Sequence, residues 1–125
     1  ASQLNIAENT AWADLSPFSG TLNVTQQPAL IYAVFNSSVS RLNAAADDTN
    51  WNIRITIDGN QAGQESWWYT ENLANSGVMY SMMSIAAVWK VEATGSKVVK
   101  VQQWHWGDGR ISDCTFSAFW IPCSP

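Results

Sequence analysis

Apolar and polar residues alternate along much of the chain in a way that predicts β-strands. The clearest case is residues 51–57, in which every second residue is apolar: Trp51, Ile53, Ile55 and Ile57. Alternate residues of a strand face opposite sides of a sheet, so this pattern predicts one buried face and one more polar face. Asp58-Gly59-Asn60 follows and favours a turn, because Gly and Asn tolerate a positive φ.

The same reasoning predicts six further strands. They cover residues 21–25, 29–34, 66–70, 88–92, 97–102 and 115–121. Pro28 interrupts the chain between the first two, and Pro122 closes the last one. A Thr94-Gly95-Ser96 turn is expected to join 88–92 to 97–102 in a hairpin. Residues 42–48 contain three consecutive alanines and have a helical tendency of one or two turns.

Several short strands separated by turns, without alternating helices, are typical of an all-β fold. The expected architecture is an antiparallel β-sandwich, and a jelly roll in particular. A chain of 125 residues buries about two thirds of its surface on folding, which is enough for one core. We therefore expect a single domain over residues 1–125.

The C-terminal third resembles a known family. Its features are Val-Trp-Lys-Val-Glu at 88–92, a glycine turn, a strand at 97–101, the Gly-Asp-Gly loop at 107–109 and Thr-Phe-Ser-Ala-Phe-Trp-Ile at 115–121. Together they are similar to the end of the C1q/TNF-like jelly roll, which closes on a T-F-S-G-F-L-like strand. Ala118 replaces the Gly of that pattern and Trp120 replaces the Leu. The resemblance implies a compact homotrimeric head domain that caps a collagen-like or coiled-coil stalk or forms a fibre tip, and therefore an extracellular or cell-surface location.

The last predicted strand favours an oligomer on physical grounds. Phe116, Ala118 and Trp120 would share one face of it, and Phe119 and Ile121 the other. A strand that is apolar on both faces is buried on both faces, so in a small sandwich the second face would meet another subunit. The low proportion of charged residues, 13% against roughly 25% in average domains, agrees with a buried subunit interface.

Charge and hydropathy argue against two classes of partner. The net charge is −4 and the six basic residues are scattered, so nucleic-acid binding is not expected. Membrane insertion is not expected either, because no apolar run approaches the ~18 residues of a spanning helix. The first ten residues, ASQLNIAENT, lack the basic and apolar regions of a signal peptide.

A catalytic role would have to use His105, the one histidine of the chain. Asp108 or Asp113 could orient it and Ser112 could serve as the nucleophile. No strained G-x-S-x-G turn surrounds Ser112. We therefore expect an exposed or interface histidine between two aromatic neighbours.

The sequence also gives no indication of a glycosidase site or a metal site. Glu65, Glu71 and Glu92 show no spacing that singles out a glycosidase pair. One histidine and two cysteines do not match zinc-ligand spacing, and Asp47-Asp48 is typical of a solvated loop. The sequence predicts a non-enzymatic protein without a metal or cofactor.

Eight tryptophans are many for a core of this size, so some should be exposed. Trp51, Trp89 and Trp120 lie within predicted strands, where burial explains them. Two clusters are more informative: Trp-Trp-Tyr at 67–69 and Trp-His-Trp at 104–106.

An indole offers a broad apolar face and one N–H, which suits stacking on a sugar ring or a cation. In strands, Trp67 and Tyr69 share a face while Trp68 points the other way, and Trp104 and Trp106 share a face. The alternative is that these aromatics fill the core and the subunit interface. Asn72 could add a hydrogen bond to a site here. The candidate ligand-binding residues are Trp67, Trp68, Tyr69, Trp104, Trp106, Asp108 and Arg110.

Cys114 and Cys123 flank the last predicted strand. Nine steps of about 3.3 Å in a straight strand place them roughly 30 Å apart, whereas a disulfide needs Cα atoms within about 7 Å. They are then free thiols or pair between subunits, unless the chain turns back at Pro122. The first two arrangements are preferred.

The leading hypothesis is a non-enzymatic trimeric head domain that recognises a glycan or another surface ligand, in adhesion or receptor binding. One alternative is a structural trimerisation cap in which every indole is buried and nothing is bound. Another is a monomeric carbohydrate-binding module of a secreted enzyme.

Overall fold

The computed structural model describes residues 3–4, 9–41, 49–70, 79–106 and 109–123. Within these ranges the chain forms eight β-strands: β1 (Gln3–Leu4), β2 (Asn9–Val24), β3 (Ala29–Arg41), β4 (Thr49–Ile57), β5 (Asn60–Thr70), β6 (Met79–Val91), β7 (Gly95–Trp106) and β8 (Gly109–Pro122).

The strands form two four-stranded antiparallel sheets. Sheet A has the order β1-β8-β3-β6 and sheet B the order β2-β7-β4-β5. The chain moves from one sheet to the other at every connection except the turn between β4 and β5. This interleaved order of eight antiparallel strands in two sheets is that of a jelly roll. The prediction of an all-β, antiparallel sandwich with a jelly-roll order is confirmed.

The predicted hairpin between residues 88–92 and 97–102 is wrong. These residues belong to β6 and β7, which lie in different sheets: β6 pairs with β3, and β7 pairs with β2 and β4. Both strands carry an apolar face, and Val91 and Val99 are both buried in the core. Gly95, at φ 120°, lies where the chain crosses between the sheets. The crossing lets both apolar faces meet the same core from opposite sides.

Most other predicted strands are present but longer than expected. The predicted segments 21–25 and 29–34 correspond to β2 and β3, which have 16 and 13 residues. The first part of β2 and all of β1 have no counterpart among the predicted strands. The Asp58-Gly59 turn is confirmed: Ile57 pairs with Asn60, and the two turn residues have φ 49° and 81°. The helical tendency predicted for 42–48 lies outside the described residues.

The core lies between the sheets and is built largely from one face of each strand. From β4 come Trp51, Ile53, Ile55 and Ile57, each at most 1% exposed. From β3 in sheet A come Ile31, Ala33, Phe35 and Val39. The burial predicted for Trp51 is confirmed, and Trp89 and Trp120 pack at the margin of the core.

His105 belongs to this core, so the prediction of an exposed or interface histidine is wrong. Its side chain is 1% exposed and stacks on Trp51, with ring centroids 3.9 Å apart and planes 7° from parallel. Its Nδ1 lies 2.9 Å from Oε1 of Gln103. The physical reason is position: His105 continues the inward face of β7 that Val99 and Val101 begin.

β8 has the two faces that its sequence predicts. A register shift against β3 surrounds Asp113, which has φ 51°, and beyond it Phe116 packs against the core. Phe119 and Ile121 point outward and are 52% and 41% exposed in the single chain. An apolar outer surface on sheet A is the consequence.

No intrachain disulfide joins Cys114 and Cys123; both are free thiols and partly buried. The tail does not turn back at Pro122, because the amide of Cys123 donates to the carbonyl of Pro28 at 2.8 Å. This bond continues the pairing of β8 with β3. Burial, and then the nearby charge of Asp113, raise the pKa of Cys114 to about 11, so its thiol is neutral at neutral pH. A disulfide between subunits stays a prediction.

Asp58 joins the β4–β5 turn to β7. Its amide donates to the carbonyl of Val98 at 2.9 Å, and its Oδ1 accepts from the amide of Val98 at 2.8 Å.

The change Asp58→Ala removes the acceptor and places alanine at a positive φ, so we expect the free energy of unfolding to fall by about 1–3 kcal/mol. Urea denaturation measures it. Asp58→Asn keeps an acceptor and tolerates this φ, so it should lower the free energy of unfolding by less than half as much. If the Asp58→Ala protein were as stable as the parent, Asp58 would not stabilise the fold in this way.

Candidate ligand-binding face of sheet B

The outward face of sheet B carries the exposed aromatic cluster. Because Trp51 and Ile53 of β4 point into the core, Asn52 between them points outward. The register places Asn52 between Trp67 of β5 and Trp104 of β7. Strands lie about 4.8 Å apart, so the backbones at Trp67 and Trp104 are roughly 10 Å apart with Asn52 on the floor between them.

Trp12 extends this row to β2. A register shift between Asn9 and Ala13 puts Trp12 in an irregular part of β2, beside β7. Its ring lies edge-on to that of Trp104, with centroids 6.3 Å apart and planes at 83°. We call Trp12, Asn52, Trp67 and Trp104 the aromatic platform. It spans all four strands of sheet B.

The platform is partly open to solvent. Trp67 is 66% exposed, and Tyr69, which lies on the same face of β5, is 40% exposed. Asn52 is 5% exposed although it points outward, as expected for a short side chain between two indoles. Its Nδ2 donates to Oδ1 of Asn50, which pairs with Tyr69 across the β4–β5 ladder. Amide and aromatic groups thus alternate on this surface.

A chain of charged and polar side chains borders the platform. Nε of Arg54 donates to Oε1 of Gln102 at 2.9 Å, and Nε2 of Gln102 donates to Oδ1 of Asp14 at 2.9 Å. Lys100 donates to the other oxygen of Asp14 at 2.8 Å. The hydrogen bond from Gln102 and then that from Lys100 lower the pKa of Asp14. Arg54 also lies over Trp12, with Cζ 4.3 Å from the ring centroid.

Three of the residues predicted for the site lie on this face: Trp67, Tyr69 and Trp104. Trp68 does not, because it points inward opposite Trp51 and packs against the core. The backbone of Trp106 pairs with Asn50 at the end of β7, but its side chain is outside the described part of the structure.

Arg110 is not brought to this face. It lies on β8 opposite Ser40, in sheet A, and is partly exposed. Asp108 and Asn72 lie outside the described residues. That any of the predicted residues binds a ligand stays a prediction.

Sequence reasoning missed the remaining members of the site. Asn52 and Arg54 could have been predicted from the sequence, because they occupy the outward positions of the clearest predicted strand. Trp12 had no comparable signal, since the irregular register of β2 decides which way it faces. Gln102 and Asp14 become neighbours only through the pairing of β7 with β2.

Stacking and hydrogen bonding are the chemistry that this face can perform. Indole faces pack on apolar C–H surfaces, and amide groups both donate and accept hydrogen bonds. The histidine is buried in the core, away from this surface. Among the described residues no three His, Cys, Asp or Glu side chains are grouped as metal ligands would be. The same part of the chain contains no helix long and apolar enough to cross a membrane.

Comparisons with known proteins add little to this picture. No protein-family model matches the sequence, and no curated protein matches it. Among solved structures the chain is similar to the EclA C-terminal domain, described as a sugar-binding protein. The identity is 11%, covering 91% of this chain and 82% of that one, with a TM-score of 0.38. That likeness is too low to carry an argument, and any function of this chain has to be inferred from its own residues.

The exposure of Trp67 can be measured by fluorescence. We expect Trp67→Phe to remove the most red-shifted and most readily quenched part of the tryptophan emission, because 66% of this side chain is exposed. Acrylamide quenching is the measurement. Trp68→Phe is the matched control, since the adjacent indole packs against the core. Unchanged quenching in the Trp67→Phe protein would show that another indole is the exposed one.

Proposed function

We propose that this chain is a non-enzymatic, C1q/TNF-like head domain that binds a glycan through the aromatic platform and associates into a homotrimer. The observation that carries the proposal is the two-thirds-exposed indole of Trp67 beside Asn52, with Trp104 on the other side of this amide. The corresponding location is outside the cell, at a surface or a fibre tip.

A glycan fits the platform better than a purely apolar ligand does. A sugar ring has C–H groups on its faces and hydroxyl groups around its edge. The indoles offer apolar surface for the first, and the amides of Asn50 and Asn52 offer donors and acceptors for the second. The border of Arg54, Gln102 and Asp14 adds further polar groups held in place by hydrogen bonds.

The outer surface of sheet A supports self-association. We call it the apolar face; it consists of Leu30, Tyr32, Val34, Ala86, Val88, Phe119 and Ile121. At its centre Tyr32 lies between Val88 of β6 and Phe119 of β8 and stacks on Phe119, with centroids 5.3 Å apart. Val88 and Phe119 are each more than half exposed in the single chain. Soluble monomers rarely expose a contiguous apolar surface of this kind unless it has a partner.

The two surfaces lie on opposite sides of the sandwich. Self-association through sheet A therefore leaves the platform on sheet B open. A trimer would present three platforms, and linked sites bind a multivalent surface more tightly than one site does. The structural cap is less favoured, because it requires every indole to be buried and Trp67 is not.

Glycan binding is tested by removing the platform indoles. The parent protein is screened on a glycan array, and the best ligand is then titrated by calorimetry. Trp67→Ala and Trp104→Ala should each weaken binding about tenfold or more, because a central tryptophan typically supplies about 2 kcal/mol or more. Met82→Ala, which removes an exposed apolar side chain from sheet A, is the control and should bind as the parent does. No glycan bound, or binding unaffected by both tryptophan changes, would refute the proposal.

Self-association is tested by placing a charge in the apolar face. At micromolar concentration the parent should sediment as a species of three times 13.8 kDa. Phe119→Asp should sediment as a monomer with an unchanged circular dichroism spectrum, because a buried unpaired carboxylate is costly. Gln61→Asp adds the same charge at an exposed position of sheet B and should stay trimeric. A monomeric parent that binds glycan would instead identify a monomeric carbohydrate-binding module.

A further inference from the structure

We infer that the glycan bound at the aromatic platform carries a carboxylate and that Arg54 binds it. This inference rests on the proposed function, since it specifies the substrate class of the same site. The feature behind it is an arginine that is held firmly beside the platform, while none of the described carboxylates forms an ion pair with it.

Two contacts fix the guanidinium of Arg54. One side of it lies over the ring of Trp12, 4.3 Å from the centroid, and Nε donates to Oε1 of Gln102 at 2.9 Å. Gln102 is itself fixed by its hydrogen bond to Asp14. An arginine held in this way has already lost much of its side-chain freedom, which lowers the entropic cost of binding a ligand.

The charge of Arg54 is not neutralised by an ion pair with another described residue. Ion pairs in the described part of the chain join Lys90 to Glu92, Lys97 to Asp58 and Lys100 to Asp14. Asp14, the carboxylate nearest along the hydrogen-bonded chain, is occupied by Lys100 and Gln102. The connected group of Arg54, Gln102, Asp14 and Lys100 therefore has one net positive charge.

Glu65 is the acidic residue on the neighbouring strand that could compete. It lies in the irregular stretch of β5 between the Ile53–Ser66 and Ile55–Ala62 pairs, opposite Arg54. Its side chain is exposed and forms no ion pair with Arg54. Solvent weakens the attraction between such groups, so a ligand carboxylate seated between the platform and Arg54 would interact more strongly than Glu65 does.

The donors left over on Arg54 match a carboxylate. With Nε bonded to Gln102, the terminal NH₂ groups remain, and their shared edge can donate to both oxygens of one carboxylate. Arg54 follows Asn52 by two residues on the same face of β4, which is about 7 Å along the strand. A sugar ring stacked on Trp67 or Trp104 over Asn52 would thus have a ring substituent within reach of Arg54.

The experiment compares ligands that differ by one charge. The parent protein is titrated with sialyllactose and its uncharged methyl ester, and with a glucuronic acid-terminated disaccharide and its glucose-terminated counterpart. We expect at least one acid to bind about tenfold or more tightly than its neutral counterpart, because a hydrogen bond to a charged group is worth more than a neutral one. Added salt should reduce this preference. The two pairs distinguish a sialic acid from a uronic acid.

Three variants separate a role in recognition from a role in folding. Arg54→Gln should abolish the preference for the acid, so that the acid and its neutral counterpart bind with equal affinity. Arg54→Lys keeps the positive charge but loses the paired NH₂ groups of the guanidinium, so it should retain part of the preference for the acid. Lys90→Gln removes the same charge from sheet A and should behave as the parent does.

The outcomes also separate this inference from the proposed function. Equal binding of acid and neutral sugar by the parent would overturn the carboxylate inference and leave glycan binding intact. An acid preference that survives Arg54→Gln would overturn the assignment to Arg54. Binding of none of the sugars by the parent, on the array or in solution, would overturn the proposed function and this inference with it.

Discussion

The structure depends on one shared core that every long strand enters from one face. Alternate residues of a strand point to opposite sides, so using one set for the core leaves the other set outside. β4 shows this most clearly: Trp51 and Ile53 are fully buried, while Asn52 and Arg54 lie on the outer side of the same strand. The core determines which positions face inward, and it leaves the chemistry of the two outer faces open. In this protein those faces differ sharply, one apolar and one aromatic with amide and charged groups.

Irregularities in the strands decide which side chains reach the outer faces. The register shift around Asp113 in β8 changes which residues point inward, so that both Ile111 before it and Phe116 after it reach the core. In β2, register shifts lie on both sides of Ala13 and Asp14, and the neighbouring Trp12 contacts Trp104. Extra residues of this kind twist and redirect a strand locally, and in sandwiches and barrels they often lie next to functional sites. The aromatic platform includes one residue, Trp12, from such an irregular strand.

The correct predictions concern single strands, and the failures concern relations between strands. The inward and outward faces of β4 and β8 followed from the period of the pattern, as did the turn at Asp58. The prediction that β6 and β7 form a hairpin failed because the pattern does not say how two strands with a short connection are arranged. They can pair side by side in one sheet or face each other across the core in two sheets. His105 was misplaced because a histidine between two aromatics has no inherent preference for either side, and the stack on Trp51 exists only once β7 lies beside β4.

The amino-acid sequence by itself determined the class of the fold, the turn chemistry and the face on which most strand residues lie. These properties are local, because they depend on the spacing of neighbouring side chains. Tertiary structure alone decided which strands are partners, and therefore that Trp12, Trp67 and Trp104 share a surface and that Arg54 joins Gln102. The physical reason is that hydrogen bonds between strands are made by the backbone, which is nearly the same for every residue. A strand pattern therefore specifies which side is buried without specifying which neighbour it will have.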